Sequence, residues 1–491
     1  MRLADLAGAV PGARLDGGGD LEVGAVVFDS RRVVPGALFV AIRGLEQDGL
    51  RFAPEAVARG AVAVASEARP ETPVPWLQVR DAREALGRLA ATLLGRPADA
   101  LELIGVTGTN GKSTTAALLE AALAASGRRV GLVGTVSHRI AGRPVPAVHT
   151  TPESSDLLGL LAEMREAGCD SAVLEVSSHA LALKRVHECR FKLAVFTNLT
   201  RDHLDFHGDM DSYFAAKREL FASLLRPDGW AILNADDPRA DELATASRGR
   251  VWTFAVGGRA DVGVESLELG LHGSSFQART PRGAIAIRSP LLGRFNVSNM
   301  LAALTAGLAL EIPAETLAAA LGSFPGVPGR MERVEAGQPF TVVVDYAHTD
   351  DALRCLLEAV RELGPRRLIA VFGCGGDRDR SKRPLMGAVA ARLSDAVVLT
   401  SDNPRSEPPE AILEEIQRGM NGGRAGARHV IPDRREAIAR ALALAGPGDA
   451  VVIAGKGHET QQVLRDRSVP FDDRQVVRDL LALRTTGRRR A

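Results

Sequence analysis

Short apolar segments rich in β-branched residues recur along the chain and alternate with longer stretches rich in alanine and leucine. Buried strands of a parallel sheet show the first pattern, and the helices that cover such a sheet show the second. The alternation therefore predicts an α/β protein. The clearest predicted strands cover residues 101–106, 172–176, 193–197, 341–345, 367–372, 396–400 and 450–454. Because open α/β sheets bind ligands beyond the carboxyl ends of their strands, functional residues are expected at those ends.

Two breaks rich in glycine and proline interrupt this pattern, at residues 95–97 and 325–329. The chain of 491 residues is too long for a single hydrophobic core. At roughly 150 residues per domain, its length suggests about three domains. We expect them to cover residues 1–98, 99–328 and 329–491.

Composition excludes several classes of protein. The chain is 45% hydrophobic and 25% charged with a formal net charge of +1, which is typical of a globular protein and gives no reason to expect a nucleic-acid partner. Its four cysteines lack the spacing of a zinc site or a disulfide framework. Asp5 is an acid where a signal peptide would need an apolar core, and no apolar run reaches the roughly 18 residues of a membrane span, so a cytoplasmic protein without membrane insertion is expected.

A glycine-rich segment directly follows the predicted strand at 101–106 and precedes a helical stretch at 116–125. In this strand–loop–helix arrangement, backbone N–H groups converge on phosphate oxygens, a lysine supplies positive charge and a serine hydroxyl reaches Mg²⁺. The spacing is shorter than that of the common phosphate loop, since Gly108 stands only three residues before Gly111. The predicted nucleotide-binding residues are Gly108, Thr109, Asn110, Gly111, Lys112, Ser113 and Thr114.

The shortened loop and the motifs that follow it resemble those of the Mur ligase and folylpolyglutamate synthetase family. The motifs, in order, are EVSSH at 175–179, NLTRDHLD at 198–205, YFAAK at 213–217, GRFNVSN at 293–299, GRME at 329–332, DYAHT at 345–349, DNPR at 402–405 and GKGHE at 455–459. The resemblance implies a central ATPase domain with a P-loop-type parallel sheet. An N-terminal α/β domain for a uridine nucleotide and a C-terminal Rossmann-like domain would flank it.

The motifs are most similar to those of diaminopimelate-adding members of the family. The resemblance then implies ATP-dependent joining of meso-diaminopimelate to the D-Glu side-chain carboxylate of UDP-MurNAc-L-Ala-D-Glu through an acyl phosphate, by a monomer. Another ligase of the family, including a lysine-adding one, is the nearest alternative. A nucleotide-binding switch or motor is a second alternative, but it would account for the phosphate loop and not for Lys217 or the C-terminal motifs.

Several residues are expected around ATP and its metal ions. Taken alone, Glu175 could be a surface glutamate, His203 a structural histidine and Lys217 a solvated helix lysine. The resemblance instead implies that Ser113, Glu175, His203 and a lysine carbamylated by CO₂, Lys217, bind Mg²⁺. The expected catalytic residues are Lys112, Glu175, His203 and Lys217. The resemblance further places Asn296 at the adenine, and Arg330, Asp345 and His348 at the ribose and phosphates.

The resemblance also assigns the substrate-binding positions. Those for the UDP-MurNAc-peptide are Phe28, Ser30, Leu45, Glu46, Gln47, His149, Thr150, Thr151, Ser177, Leu183 and Arg185. Leu183 stands where the family often has glutamine, so one substrate hydrogen bond is expected to be absent or replaced. Those for the amino acid are Arg378, Asp402, Asn403, Pro404, Arg405, Gly455 and Glu459.

Arg405 is the residue expected to select the amino acid. Meso-diaminopimelate has a distal carboxylate that lysine lacks, and a guanidinium can bind a carboxylate through two parallel hydrogen bonds. The same guanidinium would meet the side-chain ammonium of lysine with like charge. By resemblance, Glu459 pairs with an ammonium of the substrate. Without the resemblance, Arg378 would be interpreted as a surface arginine.

Overall fold

A computed structural model describes residues 1–44 and 47–488. Its α-helices are α1 (Leu3–Gly8), α2 (Ala53–Ala58), α3 (Ala82–Leu93), α4 (Lys112–Ala125), α5 (Ser154–Glu166), α6 (Ser178–Ala182), α7 (Leu204–His207), α8 (Met210–Glu219), α9 (Ala240–Ala246), α10 (Arg294–Ala309), α11 (Ala314–Ser323), α12 (Asp350–Glu362), α13 (Lys382–Leu393), α14 (Pro409–Arg418), α15 (Arg434–Leu444) and α16 (Asp473–Arg488). Shorter helical turns are Ser30–Arg32, Gly49–Phe52, Pro97–Ala100 and Leu220–Leu224. No helix within the described ranges is long and apolar enough to cross a membrane.

The strands alternate with these helices along most of the chain. They are β1 (Arg14–Asp16), β2 (Ala25–Val27), β3 (Ala37–Val40), β4 (Ala61–Ser66), β5 (Trp76–Gln78), β6 (Glu102–Thr107), β7 (Val130–Val133), β8 (His138–Ile140), β9 (Arg143–Val145), β10 (Ser171–Glu175), β11 (Phe191–Phe196), β12 (Leu225–Asn234), β13 (Arg250–Ala255), β14 (Val262–Gly270), β15 (Gly273–Thr280), β16 (Gly283–Ser289), β17 (Glu332–Arg333), β18 (Thr341–Asp345), β19 (Leu368–Phe372), β20 (Ala396–Leu399), β21 (Ala427–Val430), β22 (Ala450–Ala454), β23 (Gln461–Val463) and β24 (Ser468–Pro470). Each predicted strand is present within two residues of its expected limits, so the α/β prediction is confirmed.

The chain forms two compact units. One comprises Met1–Gly263 and Asn299–Ala320, and the other comprises Val264–Ser298 and the residues from Leu321 onward. The first unit contains an N-terminal sheet and a central sheet, and the second contains a C-terminal sheet. These sheets follow one another along the sequence as expected for three domains. The exact boundaries near residues 98 and 328 stay a prediction.

The N-terminal sheet has the strand order β1-β5-β4-β3-β2. Only the pair β1 and β5 is antiparallel among its described pairings. Asp81 directly precedes helix α3, and its carboxylate accepts a hydrogen bond from the backbone N–H of Glu84 and so caps the helix. Leu86 and Leu89 on this helix belong to the buried core shared with the sheet.

The central sheet brings the expected nucleotide-binding residues to one edge. Its order within the first unit is β13-β12-β11-β6-β10-β7-β8-β9, with β13 through β7 parallel. Strands β6, β10 and β11 are buried along almost their whole length, as expected for strands covered on both faces. In the register, Glu175 pairs with Val106 and Phe196 with Thr107. The segments after these strands therefore start at the same edge.

The second unit contains a parallel sheet covered on both faces. Its order is β17-β18-β22-β19-β20-β21, and only the described pairing of β17 with β18 is antiparallel. Leu368, Ala370 and Phe372 face the core formed with α12, α13 and α14. Ile369 and Val371 face the opposite core, formed with α15 and α16. Alternate residues of one strand thus enter different cores, as expected for the Rossmann-like arrangement.

A fully buried ion pair joins two of these helices. Arg434 at the start of α15 donates to both carboxylate oxygens of Asp473 at the start of α16, at 2.8 and 2.7 Å. The same guanidinium donates to the carbonyl oxygens of Ser401 and Ala454, at 3.2 and 3.0 Å. These carbonyls lie at the ends of β20 and β22, immediately before Asp402 and Gly455. The pair therefore holds together the strand ends that carry the two C-terminal motifs.

We expect Asp473→Ala to destabilise the second unit by about 3–5 kcal/mol, because removal of one partner leaves a buried guanidinium without its counter-charge. Glu358→Ala is the control, since Glu358 pairs with Arg354 on the exposed face of α12 and such pairs contribute less than about 1 kcal/mol. Urea unfolding of the full chain measures both effects. Equal, small changes in the two variants would contradict the assigned role of the buried pair.

Candidate active site

Two positions of the glycine-rich loop between β6 and α4 require glycine. Gly108 has a φ of +147°, and a Cβ there would lie 1.9 Å from the hydroxyl oxygen of Thr197. Gly111 has a φ of +86°, and its Cβ would lie 2.4 Å from the side-chain oxygen of Asn299. The backbone therefore turns closely into the first turn of α4, whose N–H groups and positive dipole end favour an anion.

The segment that follows β11 fixes this loop. Asn198 accepts a hydrogen bond from the backbone N–H of Asn110 at 2.9 Å and donates from its side chain to the carbonyl of the same residue at 3.1 Å. Thr197 donates to that carbonyl at 2.6 Å. Thr109 shares a hydrogen bond with the hydroxyl of Tyr213 at 3.1 Å. The loop is thus held in shape by residues 87 to 104 positions away in the sequence.

Lys112 lies over the loop from which it projects. Its ammonium donates to the carbonyl oxygens of Gly108 and Thr109, at 2.9 and 2.8 Å. A charged donor at this point can neutralise the oxygens of a bound phosphate. The geometry therefore supports the predicted nucleotide-binding role of Lys112.

Glu175 lies at the end of β10 and is only 2% exposed, which contradicts the alternative of a surface glutamate. Its carboxylate accepts hydrogen bonds from the hydroxyl of Ser113 and from both the backbone N–H and the hydroxyl of Thr135, all at 2.9 Å. Hard oxygen donors beside a phosphate loop suit Mg²⁺. The hydroxyl of Ser113 and the carboxylate of Glu175 therefore fit the expected metal ion.

Lys217 lies on α8 with its side chain buried, at 1% exposure, which contradicts the alternative of a solvated lysine. Its ammonium donates to the carbonyl of Gly108 at 2.9 Å and lies 4.4 Å from the ring centre of Tyr213. Burial, and then the charge of Lys112, lower the pKa of Lys217 well below its ordinary value. A neutral, nucleophilic amine is therefore favoured at this position.

His203 lies just after the segment that holds the loop and adopts a left-handed backbone with φ of +54°. Its ring is 4.7 Å from that of His179, and burial lowers its pKa. A neutral imidazole can bind a cation. Among the described residues, no group of three or more His, Cys, Asp or Glu could hold a metal ion. Magnesium ions in this site would therefore need further oxygen ligands, such as phosphate and water.

The predicted peptide-binding residues lie beside Glu175. The hydroxyl of Thr151 donates to the backbone carbonyl of Glu175 at 2.7 Å and accepts from the N–H of Ser177 at 3.2 Å. Arg185 donates to the carboxylate of Glu153 at 2.9 Å and to the carbonyl of Thr151 at 3.1 Å. These residues form one connected polar surface next to the phosphate loop.

The remaining residues predicted for the UDP-MurNAc-peptide are less tightly connected. The hydroxyl of Thr150 is 3.0 Å from that of Thr135, His149 is exposed and Leu183 is half-buried. In the N-terminal sheet region, buried Ser30 donates to Glu55 at 3.0 Å, Phe28 packs against the core and Gln47 is exposed. Leu45 and Glu46 lie outside the described residues.

The second unit contains the residues predicted for the adenine, ribose and phosphates. Asn296 is buried and donates to the carbonyl of Leu292 at 2.9 Å. Asp345 accepts two backbone N–H groups at 2.7 and 2.8 Å, and burial raises its pKa. The guanidinium of Arg330 lies 4.8 Å from the ring centre of Tyr346, which also contacts the ring of His348. Apart from Asn296, these residues form one cluster at the end of β18.

The predicted amino-acid pocket lies where β20 and β22 end. Arg405 has a left-handed backbone with φ of +51° and donates to the carbonyl of Gly376 at 2.7 Å. Asn403 donates to the carboxylate of Glu459 at 2.8 Å. The guanidinium of Arg405 and the carboxylate of Glu459 thus lie in one polar cluster, linked through Asn403 and Pro404. Arg378 is exposed and donates to the carbonyl of Asp377 at 3.0 Å.

Gly455 permits the two motifs of this pocket to approach each other closely. Its φ is +115°, and a Cβ would lie 2.3 Å from a carboxylate oxygen of Asp402. Burial raises the pKa of Asp402. Any other residue at position 455 would push this carboxylate away from the end of β22.

Comparison with known proteins accounts for the order of these motifs. Three family descriptions match: "Mur ligase family, catalytic domain" at residues 22–93, "Mur ligase middle domain" at 106–307 and "Mur ligase, glutamate ligase domain" at 329–457. A UDP-N-acetylmuramoyl-L-alanyl-D-glutamate--2,6-diaminopimelate ligase from Solibacter usitatus (strain Ellin6076) is 50% identical over 94% of each chain. The chain belongs to the Mur ligase family.

Two further relatives support this assignment. A diaminopimelate ligase of the same name from Geobacillus thermodenitrificans (strain NG80-2) is 46% identical over 97% of this chain and 99% of its own. A solved structure of such a ligase is 36% identical, has a TM-score of 0.69 and covers 96% of this chain and 97% of its own. This Mur ligase is therefore similar to full-length members of the family, and the three-domain α/β prediction is confirmed.

Sequence reasoning missed several residues of this Mur ligase that hold its predicted site residues in place. They are Thr135, Glu153, Tyr213, Arg434, Lys456 and Asp473. Thr135 could have been found, because it follows a strand that ends at the same edge as β10. The spacing of Tyr213 and Lys217 by four residues on α8 was also a signal, since it places both on one helix face. The roles in binding and catalysis stay predictions.

We expect Lys112→Ala to lose at least about 100-fold in ATP-driven ligation while its melting temperature changes little. A charge that stabilises phosphate oxygens contributes about this much to catalysis, and Lys112 packs no core. Lys192→Ala is the control, because Lys192 pairs with Asp228 at the surface. Release of phosphate from ATP gives the rate. A folded Lys112→Ala enzyme with near-normal turnover would refute the assignment.

Proposed function

We propose that this Mur ligase adds meso-diaminopimelate to the D-Glu side-chain carboxylate of UDP-MurNAc-L-Ala-D-Glu in peptidoglycan precursor synthesis. Relatives named for this ligation are 44–50% identical over nearly the whole chain. The observation that carries the proposal is that Arg405 and Glu459 lie in one polar cluster of the second unit, where both contact Asn403. The distal end of diaminopimelate carries both a carboxylate and an ammonium, which require these two opposite charges.

The first step activates the carboxylate. Its oxygen forms a bond to the γ-phosphorus of ATP, the bond from that phosphorus to the bridging oxygen of ADP breaks, and ADP leaves. Lys112 neutralises negative charge on the transferring group, and the backbone N–H groups at the start of α4 orient the phosphates. Ser113 and Glu175 would hold Mg²⁺, which neutralises phosphate charge when bound.

The second step forms the amide. The amine nitrogen of diaminopimelate attacks the carbonyl carbon of the acyl phosphate, and inorganic phosphate leaves as the amine loses a proton. Arg405 would bind the distal carboxylate and Glu459 the distal ammonium, so that the other end of the substrate presents its amine. Such positioning holds the amine next to the acyl phosphate, so the two groups need not find each other by diffusion in solution.

We further propose that Lys217 reacts with CO₂. The lowered pKa of Lys217 favours the neutral amine, which can attack the carbon of CO₂ and lose a proton to give an N-carboxylate. The reaction places an anion on the buried Lys217 side chain near Lys112, so that the two side chains attract each other. The new oxygens, together with His203, would add hard ligands for a second Mg²⁺.

The remaining proposed contacts belong to the uridine nucleotide and its sugar peptide. Phe28, Ser30 and the segment 45–47 would hold the uridine part, while Thr150, Thr151, Ser177 and Arg185 would hold the sugar peptide. Asn296, Arg330, Asp345 and His348 would contact ATP. We propose that the enzyme acts as a monomer. We place the reaction in the cytoplasm, where ATP is available.

Lys217→Ala should be inactive, because the variant cannot form the proposed carbamate. Bicarbonate or a short carboxylic acid should partly restore ligation by supplying the missing anion. Product formation is measured by mass with and without the rescue agent. In the control Lys192→Ala, neither bicarbonate nor the carboxylic acid should change product formation. Substantial activity of Lys217→Ala without a rescue agent would show that no carbamate is needed.

Arg405→Ala should reduce kcat/KM for meso-diaminopimelate by roughly 10- to 100-fold, since a hydrogen bond between charged groups contributes about 1.5–3 kcal/mol. The wild-type enzyme should join diaminopimelate. In the variant, kcat/KM for lysine should fall far less, because lysine has no distal carboxylate. Both amino acids are compared at saturating ATP, Mg²⁺ and UDP-MurNAc-L-Ala-D-Glu, with products identified by mass.

Arg418→Ala is the matched control for this comparison, since Arg418 is an exposed arginine at the end of α14 in the same unit. An unchanged ratio between the two amino acids in Arg405→Ala would remove Arg405 from the specificity site. Preference of the wild-type enzyme for lysine would refute the diaminopimelate assignment and leave the family assignment intact.

A further inference from the structure

We propose that Lys456 is a positioning residue of the amino-acid pocket, which fixes the orientation of Glu459 and thereby sets the affinity for the amino acid. The inference rests on the proposed function. Lys456 follows β22 and has a side chain that is fully buried. Its ammonium donates to the side-chain oxygen of Asn403 at 3.1 Å, to Oε2 of Glu459 at 3.0 Å and to the carbonyl of Gln461 at 2.6 Å.

These contacts use the full donor capacity of Lys456. A lysine ammonium has three N–H donors, and each of the three acceptors belongs to the pocket or to the strand beside it. A buried cation whose donors are all used does not bind a substrate directly. Lys456 therefore acts on the amino acid through its neighbours.

The orientation of the Asn403 amide depends on the same ammonium. The side-chain oxygen of Asn403 accepts from Lys456 and from the backbone N–H of Val463, the latter at 2.9 Å. With its oxygen held by two donors, the amide must present its NH₂ group on the other side. That group donates to Oε2 of Glu459 at 2.8 Å. Lys456 thus reaches Glu459 by a direct bond and through Asn403.

Glu459 is held through one oxygen only. Both bonds end on Oε2, and no hydrogen-bond donor of the described residues reaches Oε1. The side chain is 31% exposed, so Oε1 can meet a ligand. A carboxylate fixed at one oxygen presents the other in a preset direction, and less ordering is left for the substrate to impose. An ammonium is the ligand group that suits such an oxygen.

Charge supports the same conclusion. Asp402 and Glu459 place two carboxylates in the pocket. Burial raises the pKa of Asp402, and the charges of Arg434 and then Lys456 oppose that effect. Loss of Lys456 would therefore weaken both the geometry of Glu459 and the charge balance around it.

The first test compares Lys456→Met with the wild-type enzyme, using the full chain. KM for meso-diaminopimelate should rise at least tenfold, whereas KM for ATP and for UDP-MurNAc-L-Ala-D-Glu should change less than threefold. Lys456→Gln, which keeps a donor without the charge, should give an intermediate KM and serves as the second variant if the first fails to fold. Unchanged KM for diaminopimelate in either folded variant would overturn the inference.

Arg367→Met separates positioning from general destabilisation. Arg367 pairs with fully buried Asp449 at the opposite end of the same parallel strands, just before β19 and β22. Its loss should lower the melting temperature without raising KM for diaminopimelate. A rise in KM equal to that of Lys456→Met would show that Lys456 serves the fold alone and would overturn the inference.

A double-mutant cycle with Glu459→Gln tests whether Lys456 acts through Glu459. In the Glu459→Gln background, Lys456→Met should change KM for diaminopimelate by less than threefold. A tenfold rise in KM both in the wild-type and in the Glu459→Gln background would overturn the inference. Diaminopimelate ligation by the wild-type enzyme would still support the proposed function in that case. Wild-type ligation of lysine in place of diaminopimelate would overturn both.

Discussion

Two lysine ammonium groups share the carbonyl oxygen of Gly108, and the candidate active site depends on this concentration of positive charge. Lys112 and Lys217 each donate to that oxygen at 2.9 Å. Two like charges so close together, one of them buried, are unfavourable unless an anion joins them or one side chain loses its proton. Burial, and then the charge of Lys112, lower the pKa of Lys217. Both outcomes, phosphate binding and chemistry at the Lys217 amine, are what a phosphoryl-transferring ligase requires.

The second unit uses buried cations for a different purpose. Arg434 binds the carbonyls that end β20 and β22, and Lys456 binds side chains that follow the same strands. Neither cation is exposed to a ligand. Each instead satisfies backbone and side-chain acceptors that two loops would otherwise leave buried without donors. The proposed substrate-binding groups, Arg405 and Glu459, lie in the same loops and are partly exposed.

The sequence predicted the strands well because continuous β-branched runs are strong local signals. It predicted the phosphate loop from a glycine-rich segment with Lys-Ser-Thr between a strand and a helix. The sequence did not predict the contacts that hold the site residues in place. Arg434 and Asp473 are 39 residues apart, and only the strand order and the packing of α15 and α16 make them partners. The burial of Lys217 similarly depends on where α8 packs. Motif order identified the proposed site residues, but not the residues that fix their orientation.

The proposed choice between diaminopimelate and lysine follows from charge balance rather than from size. Arg405 and Glu459 offer one positive and one negative group, so an amino acid end that carries both charges can satisfy each of them. Lysine offers only an ammonium, which would satisfy Glu459 but give the guanidinium of Arg405 no counter-charge. Diaminopimelate therefore gains a charge-assisted pair with Arg405 that lysine cannot form. Since Asn403 and Lys456 hold Glu459 in place, selectivity must be a property of the whole cluster and not of Arg405 alone.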